Sequence, residues 1–198
     1  MNPEKARLRA EYRALRAKLS PEEVAKAGEQ VTARLRELEV LRSARTVFSY
    51  VEFGREVPTR PILRELLQAG KLVVAPAHDR LLDQYRCFHF LSLGDPLLEG
   101  ARPDEDTPDT CDLFEIRDAQ VFLVPGLVWD ERGWRIGFGG GYFDRILAQR
   151  SPNSVAIGLA YEFQIIPRIP LDPWDRAVDL IVTPERVILT APNVSFGR

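Results

Sequence analysis

Cysteine is scarce in this chain. There are two among 198 residues, Cys87 and Cys111, in unlike contexts and without CxxC spacing. Zinc-type ligand clusters are therefore absent from the pattern, and Cys87 reads as a buried free thiol. Histidine is as rare. His78 and His89 show no catalytic spacing, and His89 alternates with apolar residues in "CFHFL", the pattern of strand packing. No stretch approaches the roughly 20 apolar residues that a membrane span needs. The N-terminal "MNPEKARLRAEYRALRAKLS" is charged throughout and lacks an apolar signal region, so a cytoplasmic protein without membrane contact is expected. Surplus charge is missing too. At a formal net charge of −2 no global field recruits nucleic acid, and any anion site must be local. Lysine supplies only four of the 27 basic residues, leaving 23 arginines to carry the positive charge.

What is present is an ordinary globular composition, 45% hydrophobic and 28% charged, of a length for one domain spanning residues 1–198. No internal repeat or linker divides it. Leu8, Tyr12, Leu15 and Leu19 follow 4-3-4 spacing and predict a first helix with one apolar stripe; Lys5, Arg9, Arg13 and Arg16 form a basic strip beside it. "SPEE" from Ser20 supplies an N-cap, a proline at the first helical position and Glu23 to close a capping box. Val24, Val31, Leu35 and Leu38 give that second helix its buried side.

Beyond these helices the period changes. "TVFSYV" (46–51), "KLVVAPA" (71–77), "YRCFHFL" (85–91), a long "AQVFLVPGLVWD" (119–130), "SVAIGLAY" (154–161) and "LIVTPERVIL" (180–189, with a turn at Pro184) read as strands. "PILRELLQAG" and "YFDRILAQR" read as helices between them. Near-continuous apolar strands alternating with helices predict a three-layer α/β fold, a mainly parallel sheet with helices on both faces. The acidic segment Arg102–Asp112 reads as a solvated surface loop.

One stretch asks for chemistry. "RIGFGGGYFDR" (135–145) places Gly137, Gly139, Gly140 and Gly141 within five positions, then an aromatic pair and Asp144. Glycine admits positive φ and lets backbone N–H groups approach an anion with no Cβ between. Neither G-x-G-x-x-G nor a Walker A loop is satisfied: Tyr142 stands where the third dinucleotide glycine belongs, and no Lys-Ser/Thr follows. A pair of tight turns with "DERG" as a hairpin remains the structural alternative. A loop leading into a helix N-terminus nevertheless suits phosphate, and Asp144 suits a Mg²⁺ beside it or, alternatively, the helix dipole.

Together "KARLR", "FGREVPT", "VPGLVWDERGWRIGFGGGYFDR" and "VDLIVTPERV" closely resemble the 5-formyltetrahydrofolate cyclo-ligase (methenyltetrahydrofolate synthetase) family, in the family's order over nearly the whole chain. The resemblance implies a fold related to sugar-phosphate isomerases and CoA transferases. It implies closure of 5-formyltetrahydrofolate to 5,10-methenyltetrahydrofolate with ATP as co-substrate and Mg²⁺ as cofactor. Carried over by residue, it makes Lys5 and Arg9 phosphate contacts and makes the run Arg135, Ile136, Gly137, Phe138, Gly139, Gly140, Gly141, Tyr142 and Phe143, with Arg145, the nucleotide loop. Asp144 and Asp179 become metal partners. Val51 and Glu56 line the folate site, and Tyr142, where the two substrates meet, joins Glu56 as a catalytic candidate. The chain departs from the family at Phe138 and Gly140, where a basic residue is common, at Phe143 for Tyr, and at Trp174-Asp175 for a His-Asp pair. A monomer acting on small molecules, without nucleic acid, is the expectation. An isomerase or CoA transferase on the same fold, or a non-catalytic nucleotide or folate sensor, are the rival functions.

Overall fold

The computed structural model describes residues 2–79, 84–90, 94–95 and 114–190. The acidic loop Arg102–Asp112, Cys111 and the side chains of His78 and Cys87 lie outside what is described. At the N-terminus, the Asn2 side chain accepts from the Glu4 and Lys5 amides at 3.0 and 3.4 Å and starts α1 (Pro3–Ala17). The predicted capping box starts α2 (Pro21–Glu37): Glu23 N–H donates to Ser20 Oγ at 3.2 Å, and Ser20 N–H to Glu23 Oε2 at 2.7 Å. These contacts satisfy amide groups that a helix start leaves without partners. A short α3 (Glu39–Ser43) follows and turns the chain into β1 (Thr46–Phe48).

The remaining elements are α4 (Arg60–Gln68), β2 (Leu72–Asp79), β3 (Gln84–His89), β4 (Val121–Val124), β5 (Val128–Asp130), β6 (Arg135–Ile136), α5 (Tyr142–Ala148), β7 (Val155–Leu159), β8 (Ile165–Ile166), β9 (Leu180–Val182) and β10 (Val187–Leu189). Seven strands form one sheet in the order β10-β9-β7-β4-β1-β2-β3. Its five central strands are parallel, and both edge pairings, β2–β3 and β9–β10, are antiparallel. The turn predicted at Pro184 is the β9–β10 reversal.

Alternation along the strands builds two cores. Val47, Val121, Leu123, Ile157, Leu159, Leu180 and Val182 face α2 and α4 through Val31, Leu35, Ile62, Leu63 and Leu66. Phe48, Phe122, Val124, Ala156 and Ile181 face the other way, toward Ile146 and Leu147 of α5. Helices thus cover both faces, which is why the strands carry apolar residues on each side. His89 pairs with Val74 across β2–β3 and is half-buried, the strand packing its alternation implies.

The long apolar run 119–130 is not one strand. It breaks at Pro125-Gly126, and β5 leaves for a second sheet, β6-β5-β8. Trp129 is fully buried at this corner; a Cβ on Gly126 or Gly158 would meet its indole at 2.6 or 2.5 Å. Residues 131–134 then reverse the chain, with Gly133 at φ +88° and its N–H donating to Asp130 O, so "DERG" is a hairpin turn. A third apolar cluster docks α1 on this small sheet, with Leu8 and Tyr12 against Leu127, Val128, Ile136 and Ile169. Leu15 is exposed and Arg16 buried. The end of the predicted apolar stripe is therefore displaced, and a charged side chain takes the inward place.

Candidate active site

A cavity of about 890 Å³ opens where β1 and β4 end, between the loop after β1, the loop after β6, α1 and the 172–175 segment. Ligand sites beyond the carboxyl ends of parallel strands are the general rule for open α/β sheets. Lys5, Arg9, Val51, Glu56 and the run Arg135 to Asp144 all line it. It is also lined by Phe53, Trp174 and Asp175, which lie in segments that carry the family resemblance, and by Tyr50, Glu52, Arg60 and Asp172, which had no sequence signal of their own.

The glycines divide into two kinds. Gly139 and Gly141 have φ of +114° and +64°, conformations that side chains rarely adopt, whereas Gly137 and Gly140 do not. A Cβ on Gly137 or Gly140 would meet nothing within 4 Å; it would project into open space. Arg9 Nε donates to Gly137 O at 2.9 Å and ties the loop to α1. Arg145 does not line the cavity: it is exposed, and its Nη1 donates to Gly140 O at 2.8 Å, bracing the loop. Phe143 packs edge-on against Phe48 at 6.2 Å and against Tyr142 at 5.6 Å, anchoring the loop to the sheet. Ile136 is mainly a core residue of the α1 cluster.

Two sets of charges meet on the lining. In the first, Lys5 is buried and its Nζ is gripped by Asp172 at 2.7 Å and by Asp175. Arg135, also buried, meets Asp144 Oδ1 at 3.1 Å and donates to Arg176 O at 2.8 Å. The Arg176 amide donates to the same Asp144 oxygen. Among the described residues Asp144 Oδ2 has no hydrogen-bond partner.

The second set surrounds Glu56. Its Oε2 accepts from Phe53 N–H at 2.9 Å and its Oε1 lies 3.8 Å from Arg16 Nη1, with both side chains buried. Burial pushes the Glu56 carboxyl above its ordinary range; the Phe53 amide and Arg16 oppose that, and Glu52 adds to it. The loop carrying Glu56 is pinned on all sides. Tyr50 O–H donates to Val57 O at 2.8 Å, and Tyr161 O–H lies 3.1 Å from Glu56 O. Glu52 accepts from the Thr59 and Arg60 amides, both at 3.1 Å, and pairs with Arg60 Nη1 at 2.6 Å, thereby capping α4. Phe53, Trp174 and Phe138, 76%, 65% and 47% exposed, are large apolar groups at one cavity.

Asp179, expected as a metal partner, is not brought to the other site residues. It lies off the cavity lining, its carboxylate pairs with Arg150 and accepts from the Ala156 amide at 2.7 Å, and it ties the β7 region to the start of β9.

The model of the 5-formyltetrahydrofolate cyclo-ligase family matches residues 1–184. The chain belongs to that family. It is 27% identical over 174 residues to the 5-formyltetrahydrofolate cyclo-ligase of Escherichia coli (strain K12), covering 87% of this chain and 96% of that one. Among solved structures, the NMR structure of Aquifex aeolicus 5,10-methenyltetrahydrofolate synthetase superposes with a TM-score of 0.79 at 27% identity, over 98% of this chain and 96% of that one. The Mycoplasma pneumoniae 5,10-methenyltetrahydrofolate synthetase gives 0.71 at 25% identity, over 93% and 99%. Among the described residues no helix is long and apolar enough to cross a membrane.

Proposed function

We propose that the chain closes 5-formyltetrahydrofolate to 5,10-methenyltetrahydrofolate at the expense of ATP, in the cytoplasm and as a monomer. The observation that carries this reading is the joining of two chemistries on one cavity lining: a cation-backed glycine loop and a buried carboxylate, Glu56. A volume near 890 Å³ lies toward the upper end of the range of about 300 to 1,000 Å³ for small-molecule sites.

The chemistry sets the division of labour. A formamide oxygen is a poor leaving group at neutral pH. In the proposed sequence it attacks the γ-phosphorus, ADP leaves, and the neighbouring folate amine attacks the activated carbon. Phosphate then departs with the oxygen, and the amine proton passes to a base. Phosphoryl transfer asks the protein for positioning and charge stabilisation. Lys5, Arg9 and Arg135, with the amides of 137–141, answer that demand. Glu56, held by Phe53 N–H and Arg16, accepts the amine proton, and burial raises its affinity for that proton. Tyr142 and Val51, both on the cavity lining, are assigned in this reading to the meeting point of the two substrates and to the folate side.

The charges also bear on the metal. Lys5, Arg9 and Arg135 are balanced by Asp144, Asp172 and Asp175 on the same lining, so a bare polyanion gains little there and a triphosphate carrying a divalent cation gains more. Mg²⁺ is commonly held by one or two carboxylates together with substrate phosphates and waters. Asp144, whose Oδ2 meets no donor among the described residues, fits that role, and the metal bound there would supply charge neutralisation. Measuring phosphate released per methenyl group formed tests the sequence: one to one is expected, and ring closure without phosphate release contradicts it.

A further inference from the structure

Two arginines of α1 gather on the ring of Phe138 in the glycine loop. The Arg16 guanidinium carbon lies 5.0 Å from the ring centroid and that of Arg13 5.6 Å. Arg16 is buried, and its Nη1 lies 3.8 Å from Glu56 Oε1. One side chain therefore touches both the loop that would wrap phosphates and the carboxylate that would serve the folate. The phenols of Tyr50 and Tyr161 lie within electrostatic range of Arg16, and they hold the backbone at Val57 and Glu56. Packed on these sides, the guanidinium cannot follow a displaced Phe138 ring without disturbing Glu56.

We infer that Arg16 is a positioning residue that couples the two substrate sites: its face on Phe138 senses the glycine loop closed on nucleotide, and its pair with Glu56 passes that state to the folate site. This rests on the proposed function. Coupling of this kind is reciprocal, so each ligand raises the affinity for the other by the same factor. A cation–π contact at a half-exposed ring supports about a twofold to fivefold effect.

The test is calorimetric titration of 5-formyltetrahydrofolate with and without a non-hydrolysable ATP analogue and Mg²⁺. In the wild type the analogue tightens folate binding about twofold to fivefold. Phe138→Leu, which keeps apolar volume but removes the ring face, brings that factor to about one, whatever change it makes in the affinity for either ligand alone. Arg16→Gln does the same, and Arg16→Lys, which retains the cation, restores part of it. Phe138→Leu guards against a folding failure at buried Arg16, and thermal melts report on each variant. A purely structural Arg16 would weaken both ligands and leave their ratio intact, which overturns the inference, as does a factor of one in the wild type. A wild-type chain that binds neither ligand overturns the proposed function as well; binding of both, with a factor unchanged in the variants, overturns the coupling alone.

Discussion

Replacing Lys5 by alanine removes the cation shared by Asp172 and Asp175. Lys5 and Asp175 are both buried, with side-chain exposures of 5% and 7%, so the loss leaves two carboxylates without the cation they share, and only Arg135, itself paired with Asp144, still acts on Asp175. Breaking a buried pair by deleting one partner costs about 3–5 kcal/mol. For a chain of this size each kcal/mol moves the melting temperature by about 2–4 °C, so a fall of roughly 6–20 °C is expected. The Lys5→Ala, Asp175→Ala double variant should be more stable than the sum of its singles predicts, by about 1 kcal/mol or more, because one orphaned charge is gone. Below its melting range, Lys5→Ala should also raise the Michaelis constant for ATP by about tenfold to hundredfold, the worth of a charge-assisted hydrogen bond, with little change for folate. Melts in low and high salt, followed by steady-state kinetics, make the measurement. A melting temperature within 2 °C of wild type, with additive singles, would refute the buried-triad argument. Unchanged ATP kinetics would return α1 to a purely structural role.

Gly139→Val should abolish turnover because φ of +114° is closed to a β-branched residue. Gly140→Val should abolish it by filling the space a phosphate would enter; nucleotide-induced thermal stabilisation equal to wild type in both variants would make the loop a mere turn. Asp144→Asn keeps shape and an oxygen but loses the charge, so its activity should recover in part at high Mg²⁺, whereas the valine variants should not; a deficit insensitive to Mg²⁺ counts against the metal role. The acid limb of kcat/KM should be shifted upward from the ordinary glutamate value, since burial raises the Glu56 pKa and Arg16, Glu52, Tyr50 and Tyr161 are titratable groups around it. The base must be ionised to accept a proton, so activity falls as pH drops through that value; Glu56→Gln should remove the limb along with most of the rate.

Much of the layer architecture was legible because local rules decide it. The Ser20–Glu23 capping box forms as spelled, and apolar strands alternating with helices yield a parallel sheet covered on both faces. Strand order was not legible, nor was the division at Pro125-Gly126, since an apolar run reads alike whether it stays in one sheet or moves to another. At the site, the glycine loop and the basic strip of α1 were visible as short-range patterns. The grip of Asp172 and Asp175 on Lys5 spans 167 and 170 positions, and nothing local in "LDPWD" announces it. Glu52 looks like a turn carboxylate until α4, which has no cap from Thr59, is seen to borrow one from it. The pairing of Asp179 with Arg150, two residues past the end of α5, was equally illegible, because a carboxylate before a strand looks the same with or without a partner 29 positions away.

The central claim is that this cavity spends a nucleotide, with its metal, to close a folate ring. The direct measurement is the absorbance of 5,10-methenyltetrahydrofolate formed from 5-formyltetrahydrofolate by the purified chain, in four parallel reactions: complete, without ATP, without Mg²⁺ in the presence of EDTA, and with Glu56→Gln. The account predicts product in the complete reaction alone, with at most a trace from Glu56→Gln. Product at full rate without nucleotide, or in EDTA, would contradict it.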